Sequence, residues 1–140
     1  MKHRIIITGD GSHTLYIPGL DESYHSRYGA INESMHVFIN AGLARAGKKN
    51  LKILEAGFGT GLNALLSWQY SVRHNLDIYY YSIEKNPLPR RMAGMLNYPA
   101  ILGEEAGTIF REMHRTPWDT DVEMAGGFIL HKTTGDILET

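Results

Sequence analysis

A glycine loop flanked by two glutamates is the part of this sequence whose residue types and spacing favour chemistry. The loop, residues 57–61, lies between a short apolar segment that ends in Glu55-Ala56 and a segment of helical periodicity that begins at Leu62. Glycine permits a tight turn with positive φ and removes the Cβ atoms that would keep a ligand away from the backbone. Glu84 ends the next apolar segment, 27 residues after Gly57. An acidic side chain there can accept hydrogen bonds from both ribose hydroxyls, so the pattern predicts a nucleoside-binding site.

Two alignments of the glycine pattern predict different cofactors. Residues 59–64 match the G-x-G-x-x-G/A pattern of nicotinamide and flavin sites, but their first glycine lies beyond the apparent strand end. Residues 55–61 match E-x-G-x-G-x-G, which resembles the first motif of Rossmann-like methyltransferases that use S-adenosylmethionine. In that frame the Glu55 carboxylate meets the positive methionine end of the cofactor, directly or through water. We favour S-adenosylmethionine and keep two alternatives, an NAD-dependent oxidoreductase and a loop that serves packing alone.

The elements that must position the loop fall into two groups. Within residues 1–50 the pattern predicts a hairpin (5–7 and 14–17), an irregular stretch over 20–29 and a helix over about 30–46. From residue 51 it predicts a strand over 51–56, a helix over 62–74 and a strand over 78–83, a unit typical of a parallel sheet. Weaker patterns predict helices over 89–96 and 104–115 and a third strand over 128–133. The fold class predicted is therefore α/β.

Composition excludes several classes of function. The 140 residues include 14 Lys and Arg against 15 Asp and Glu, so the net charge of −1 provides no overall basic excess for binding nucleic acid. The absence of cysteine excludes disulfides, thiolate zinc sites, iron–sulfur clusters and a cysteine nucleophile. No apolar stretch approaches the roughly 18 residues of a membrane span, and no signal peptide is evident, so we expect a cytoplasmic protein without membrane contact.

Other residues with chemical potential give weaker signals. The seven histidines are scattered without metal-ligand spacing, so no metal is predicted. The run Tyr79-Tyr80-Tyr81 fits a strand with one buried face better than a base-stacking platform. Arg90-Arg91, near Lys85, form a small basic patch that fits a phosphate contact and a solvated helix start equally well.

Several segments together resemble the tRNA 5-methylaminomethyl-2-thiouridine methyltransferase family, the MnmC or MnmD type. Their combination is more specific than the glycine loop, which alone indicates only a superfamily. The resembling segments are Asp10–Tyr16, Leu20–Ser26, Gly29–Ile31, His36–Ile39, Glu55–Asn63 and Ser82–Leu88. The part after residue 88 matches more loosely.

The resemblance implies a Rossmann-like class I methyltransferase that moves a methyl group from S-adenosylmethionine to the aminomethyl nitrogen of a wobble uridine in tRNA. It implies that the cofactor is lined by the glycine loop, with Glu84 on the ribose and Asp136 near the adenine amino group. A loop of Tyr24, His25 and Ser26 closes over it. The cofactor-binding residues expected are Tyr24, Ser26, Glu55, Gly57, Phe58, Gly59, Gly61, Glu84, Lys85 and Asp136.

The chain departs from the family pattern after the third predicted strand. Family members carry an aspartate-phenylalanine-proline loop after a fourth strand, beside the acceptor amine, and this sequence ends at Thr140 before such a loop. We therefore expect an N-terminal extension (1–50) followed by an incomplete Rossmann-like domain (51–140) whose C-terminal half is missing, and the catalytic residue stays unassigned. A nucleoside-binding remnant without catalysis is the alternative. The first strand of the sheet then has an open edge, so we also expect self-association through it.

Overall fold

The computed structural model describes residues 3–20, 22–26, 28–40, 42 and 49–136. Within these residues, seven strands and five α-helices follow in chain order, and the strands form two sheets. The strands are β1 (Arg4–Ile7), β2 (His13–Ile17), β3 (Glu22–Ser23), β4 (Asn50–Ala56), β5 (Asp77–Glu84), β6 (Asp121–Met124) and β7 (Phe128–Thr134). The helices are α1 (Ala30–Glu33), α2 (Leu62–His74), α3 (Arg90–Ala93), α4 (Tyr98–Leu102) and α5 (Glu104–Arg115).

The first sheet is antiparallel, in the order β1-β2-β3. Its first two strands form the predicted hairpin, with Ile5 opposite Leu15. The third strand was not predicted, because its two residues lie in a polar stretch with no alternating pattern. It pairs with β2 through Tyr16 and Ser23, and the Tyr24 amide extends the ladder by donating to the Leu15 carbonyl at 2.8 Å. This pairing directs the residues that follow β3 toward the second sheet.

The hairpin turn caps the helix that follows. Thr8, Asp10 and Ser12 accept hydrogen bonds from three consecutive amides at the start of α1, residues 30–32, over 2.9–3.1 Å. These amides have no partner within the helix, so side-chain oxygens satisfy them as an N-cap does. The helix continues as a π-helical segment, Ser34–Asn40. The prediction of a helix is thus confirmed through residue 40, and its last part, 41–46, falls almost entirely outside the described residues.

The second sheet has the order β4-β5-β7-β6. Strands β4, β5 and β7 are parallel, as predicted, whereas β6 runs antiparallel to β7. The predicted parallel pairs are therefore present, and β6 is an additional strand that was not predicted. A tight turn with positive φ at Gly126 and Gly127 leads from β6 directly into β7. Only two of the four β6 residues are apolar, so the sequence signal for this strand is weak.

Helices α2 and α5 pack against one face of this sheet. Ile78 and Tyr80 of β5 point into that side and are almost fully buried, whereas Tyr79 and Tyr81 alternate with them and are only half-buried. The alternation confirms the strand interpretation of the tyrosine run. One hydrophobic core joins this side to the first sheet and includes Leu15, Leu65 and Phe128.

The segment between β5 and α5 differs from its prediction. The predicted helix over 89–96 is limited to α3, and a second short helix, α4, begins at Tyr98 where an interruption was expected. Tyr98 is fully buried, and its hydroxyl donates to the His13 carbonyl at 2.7 Å, which stabilises α4 through a tertiary contact that local sequence does not encode. The other predicted helices, α2 and α5, have the expected bounds.

Candidate functional site

The glycine loop connects β4 to α2 at the carboxyl ends of the parallel strands. Gly57, Gly59 and Gly61 all have positive φ, at 96°, 57° and 84°. The Gly57 amide donates to the Ile83 carbonyl at 2.6 Å, so the loop starts tied to the end of β5. A Cβ atom at Gly57 would meet nothing within 4 Å. The loop therefore borders open space at the edge where parallel α/β sheets bind ligands.

Glu84 holds the middle of this loop. Its Oε1 accepts the Gly59 amide at 2.6 Å and its Oε2 accepts the Asn86 amide at 3.0 Å, with 8% of the residue exposed. A carboxylate oxygen carries two lone pairs, so each oxygen retains acceptor capacity. The carboxylate is thus fixed in orientation at the rim of the sheet while it can still accept from a ligand hydroxyl.

Tyr24 covers the loop from the N-terminal sheet. Its ring carbon Cδ2 lies 3.1 Å from the position that a Cβ on Gly59 would take. Its hydroxyl forms a 2.9 Å hydrogen bond with the His3 ring. Burial, together with the nearby negative charge of Glu84, raises the pKa of the Tyr24 phenol. Tyr24 is therefore brought beside Gly59 and Glu84.

His25 joins the same loop to the N-terminal sheet. Its Nε2 lies 3.5 Å from the Thr60 hydroxyl and its Nδ1 lies 3.7 Å from the Glu33 carboxylate. Burial lowers the pKa of His25, although Glu33 partly opposes this effect. Ser26, by contrast, accepts the Tyr28 amide at 3.1 Å within its own turn. The structure thus brings His25 to the glycine loop and uses Ser26 to shape the turn that follows.

Lys85 and Asp136 meet on the other side of Glu84. The Lys85 ammonium lies 3.5 Å from the Asp136 carboxylate, and the Gly135 amide donates to the Glu84 carbonyl at 2.9 Å. The loop after β7 therefore folds against the end of β5. Asp136 reaches the same rim as Glu84, although the two residues are 52 positions apart.

Glu55 lies in a different environment. It is 8% exposed and accepts a 2.8 Å hydrogen bond from the Ser82 hydroxyl, on the side of the sheet covered by α2. Burial raises the pKa of Glu55 to about 7, against the opposing effect of the Tyr80, Ser82 and Asn63 side chains. The structure thus directs this carboxylate into the interior, and near neutral pH it exchanges between its charged and neutral forms.

Phe58 also points inward. Only 5% of it is exposed, and its ring meets the His114 ring edge-on with centroids 5.4 Å apart. The Lys132 ammonium lies 5.4 Å from the Phe58 centroid. The side chain of Phe58 therefore supports the loop from below, and its backbone is the part that remains at the rim.

Two residues that sequence reasoning did not assign to the site hold the loop at Thr60. His114 Nε2 donates to the Thr60 carbonyl at 2.7 Å, and the Tyr98 hydroxyl lies 3.4 Å from the Thr60 hydroxyl. Burial lowers the pKa of His114 to about 4, which keeps its imidazole neutral at physiological pH. No spacing rule links these positions, because His114 follows Thr60 by 54 residues and reaches it only through the packing of α5.

The described part of the chain lacks two other features. Residues 3–20, 22–26, 28–40, 42 and 49–136 contain no group of three or more His, Asp or Glu side chains that could hold a metal ion. Within those same ranges, no helix is long and apolar enough to cross a membrane.

Several known proteins that share one name are similar to this chain. The chain is 37% identical over 105 residues to the tRNA 5-methylaminomethyl-2-thiouridine biosynthesis bifunctional protein MnmC of Cupriavidus metallidurans. This alignment covers 71% of this chain and 15% of that protein. It is 33% identical over 81 residues to the MnmC of Legionella pneumophila, in an alignment that covers 50% of this chain and 12% of that protein. The chain therefore spans only a small part of the length of these relatives. No protein-family model matches it.

A solved structure shows the same similarity in three dimensions. The crystal structure of MNMC2 from Aquifex aeolicus superposes with a TM-score of 0.75 at 28% sequence identity, over 99% of this chain and 44% of that chain. Both sheets of this chain therefore lie within the matched region.

Proposed function

Because this chain is a relative of the MnmC proteins in both sequence and fold, we propose that it forms the cofactor-binding part of a tRNA-modifying methyltransferase. The relatives carry a name that specifies biosynthesis of a modified uridine in tRNA, which supports a role in tRNA modification. The finer proposal is a Rossmann-like, S-adenosylmethionine-dependent enzyme that acts on the aminomethyl group of a wobble uridine. Residues 51–140 would bind the cofactor and residues 1–50 would form the extension that closes over it.

The observation that supports this proposal most strongly is the fixed carboxylate of Glu84. It lies at the carboxyl end of β5 and is tied to the Gly59 amide, in the same loop in which a Cβ on Gly57 would meet open space. A nucleoside cofactor needs such an acceptor for its ribose hydroxyls and a backbone without Cβ atoms for close approach. The residues of this chain therefore fit the cofactor.

The remaining rim residues take roles that their positions support. Glu84 would bind the ribose, Asp136 would meet the adenine amino group, and the Gly57–Gly61 backbone would contact the cofactor directly. Tyr24 would exclude water by covering Gly59. When bound, S-adenosylmethionine supplies an electrophilic methyl group on a positively charged sulfur. We assign no catalytic residue, because the described residues at the rim do not define where the acceptor amine would lie.

Two further properties are part of the proposal. The outer edge of β4 pairs with no other strand among the described residues, and Leu54 on this strand is 64% exposed, so we propose self-association through this edge. A tRNA substrate also fits a cytoplasmic location.

Calorimetry on the full 140-residue chain distinguishes an S-adenosylmethionine site from an NAD site. We expect S-adenosylhomocysteine to bind and NAD to give no heat of binding at the same concentration. Binding of NAD without binding of S-adenosylhomocysteine would replace this proposal by the oxidoreductase alternative.

A further inference from the structure

A cleft of about 450 Å³ lies between α3, α4 and α5. Arg90 and Arg91 of α3 and Arg111 and Arg115 of α5 line it, and all four arginines are exposed. We refer to this feature as the arginine cleft. His114 lines the same cleft and donates to the Thr60 carbonyl, so the arginine cleft adjoins the glycine loop.

The charge of the arginine cleft is unbalanced. No aspartate or glutamate lines it, and none of the ion pairs among the described residues involves its four arginines. Arg111 and Arg115 are four residues apart on one helix face, where like charges destabilise the helix. This concentration of positive charge occurs in a chain whose net charge is −1. An anion bound between these arginines would offset the repulsion.

A buried cation adds to the same field. Lys132 is only 2% exposed, and its ammonium donates to the Met113 carbonyl at 2.8 Å and lies 4.6 Å from the centroid of the Trp118 ring. Burial, together with the positive charge of Arg90, lowers the pKa of Lys132 to about 8. Lys132 on β7 therefore places a further cationic group near Arg90.

The chemistry of these side chains selects phosphate groups. Guanidinium groups bind phosphate oxygens in pairs of parallel hydrogen bonds and stay charged at all physiological pH values. Four guanidiniums exceed the charge of about −2 that one phosphate carries. The cleft is also far larger than a single phosphate group. A chain of phosphates satisfies both the charge and the size.

We infer that the arginine cleft binds the backbone phosphates of an RNA next to the nucleoside site. This inference rests on the proposed function in its choice of RNA among polyanions, and it adds the surface on which that RNA lies. The exposed Arg90 and Arg91 approach one phosphate from α3, and the exposed Arg111 and Arg115 approach another from α5.

The test measures RNA affinity as a function of salt on the full chain. Fluorescence anisotropy follows a labelled RNA stem-loop against the natural protein, the double variant Arg90→Gln/Arg91→Gln and the double variant Arg111→Gln/Arg115→Gln. The matched control, Arg4→Gln/Arg73→Gln, removes two exposed arginines that lie outside the arginine cleft. Far-UV circular dichroism and thermal melting verify that all four proteins fold.

We expect each cleft variant to weaken RNA binding about tenfold at low salt and to reduce the slope of log affinity against log salt by about 0.7 for each phosphate that is no longer neutralised. The control should stay within about twofold. Equal affinities and slopes for the cleft variants and the control would overturn the inference. Loss of inorganic phosphate binding in the cleft variants, with RNA affinity unchanged, would also overturn it and assign the cleft to a small anion.

The same proteins separate this inference from the proposed function. Calorimetry with S-adenosylhomocysteine should give the same affinity for the cleft variants and the natural chain. If S-adenosylhomocysteine does not bind any of the proteins while the cleft variants still lose RNA affinity, the cofactor proposal fails and the RNA surface stands.

Discussion

Glu84 and Glu55 lie on neighbouring parallel strands and are equally buried, with 8% of each residue exposed, yet their surroundings differ. Glu84 lies at the rim and accepts two backbone amides, those of Gly59 and Asn86. Glu55 points beneath α2, where its 2.8 Å hydrogen bond comes from the Ser82 hydroxyl. The two backbone amides hold the Glu84 carboxylate in place, whereas burial raises the pKa of Glu55. Equal burial therefore gives one carboxylate suited to bind a ligand and one that titrates inside the fold.

The largest effect is expected from Glu55→Gln, which replaces the interior carboxyl by a group that is always neutral. Glu55 has a folded-state pKa of about 7, above the ordinary value of 4.5, so the folded protein binds the proton more tightly than the unfolded chain. Its contribution to stability is complete below pH 4.5 and is lost as the pH rises through 7. The difference corresponds to about 3 kcal/mol of unfolding free energy. Glu55→Gln should therefore be more stable than the natural chain at about pH 8 and nearly equal to it at about pH 5.

Urea denaturation of both proteins from about pH 5 to about pH 8 measures this difference. The lowered pKa values of His25 and His114 act in the opposite direction at acid pH, but both proteins contain these histidines, so their effect cancels in the comparison. A constant stability difference over this range would show that folding does not raise the pKa of Glu55 above its ordinary value.

The next largest effect concerns the glycine loop, which follows Glu55 and is held by Glu84 through the Gly59 amide. Gly57 and Gly61 have similar positive φ values, 96° and 84°, so alanine at either position costs a similar backbone strain of about 1 kcal/mol. A Cβ at Gly57 meets open space, but at Gly61 it would lie 3.0 Å from both His114 and the Phe58 ring. Gly61→Ala should therefore be about 2 kcal/mol less stable than Gly57→Ala. Thermal melting of the two variants checks the order, and equal melting temperatures would argue against the tight packing beneath Gly61.

A smaller effect concerns the two faces of β4. Leu54 precedes Glu55 and therefore points to the opposite face, where it is 64% exposed. If copies of the chain associate through this strand, Leu54→Lys should raise the dissociation constant of the dimer about tenfold, because lysine on an edge disfavours pairing. Sedimentation velocity measures the constant, with Met95→Lys as a control of similar exposure, 60%, outside the sheet. A natural chain that stays monomeric at high concentration rules out the association.

The sequence predicted the loop and its flanking strand and helix because each depends on local signals. Helix α2 has the bounds expected from its periodicity, and Glu84 lies at the predicted strand end. The residues that hold the loop from other helices could not be predicted from local signals. His114 and Tyr98 reach Thr60 only after α4 and α5 pack. The different surroundings of the two glutamates could not be predicted either. The motif specifies their positions in the chain but does not show that α2 covers one of them.

The most direct test of the rim as a nucleoside site compares S-adenosylhomocysteine with its 2′-deoxy analogue by calorimetry on the natural chain, Glu84→Gln and Glu55→Gln. Loss of one hydrogen bond to a charged carboxylate should make the natural chain bind the deoxy analogue about tenfold more weakly. Glu84→Gln keeps an oxygen for the Gly59 amide but loses the charge, so its preference should fall to about twofold or less. Glu55→Gln should keep the full preference. If Glu84→Gln still discriminates between the two ligands as strongly as the natural chain does, Glu84 does not bind the ribose and the central claim is wrong.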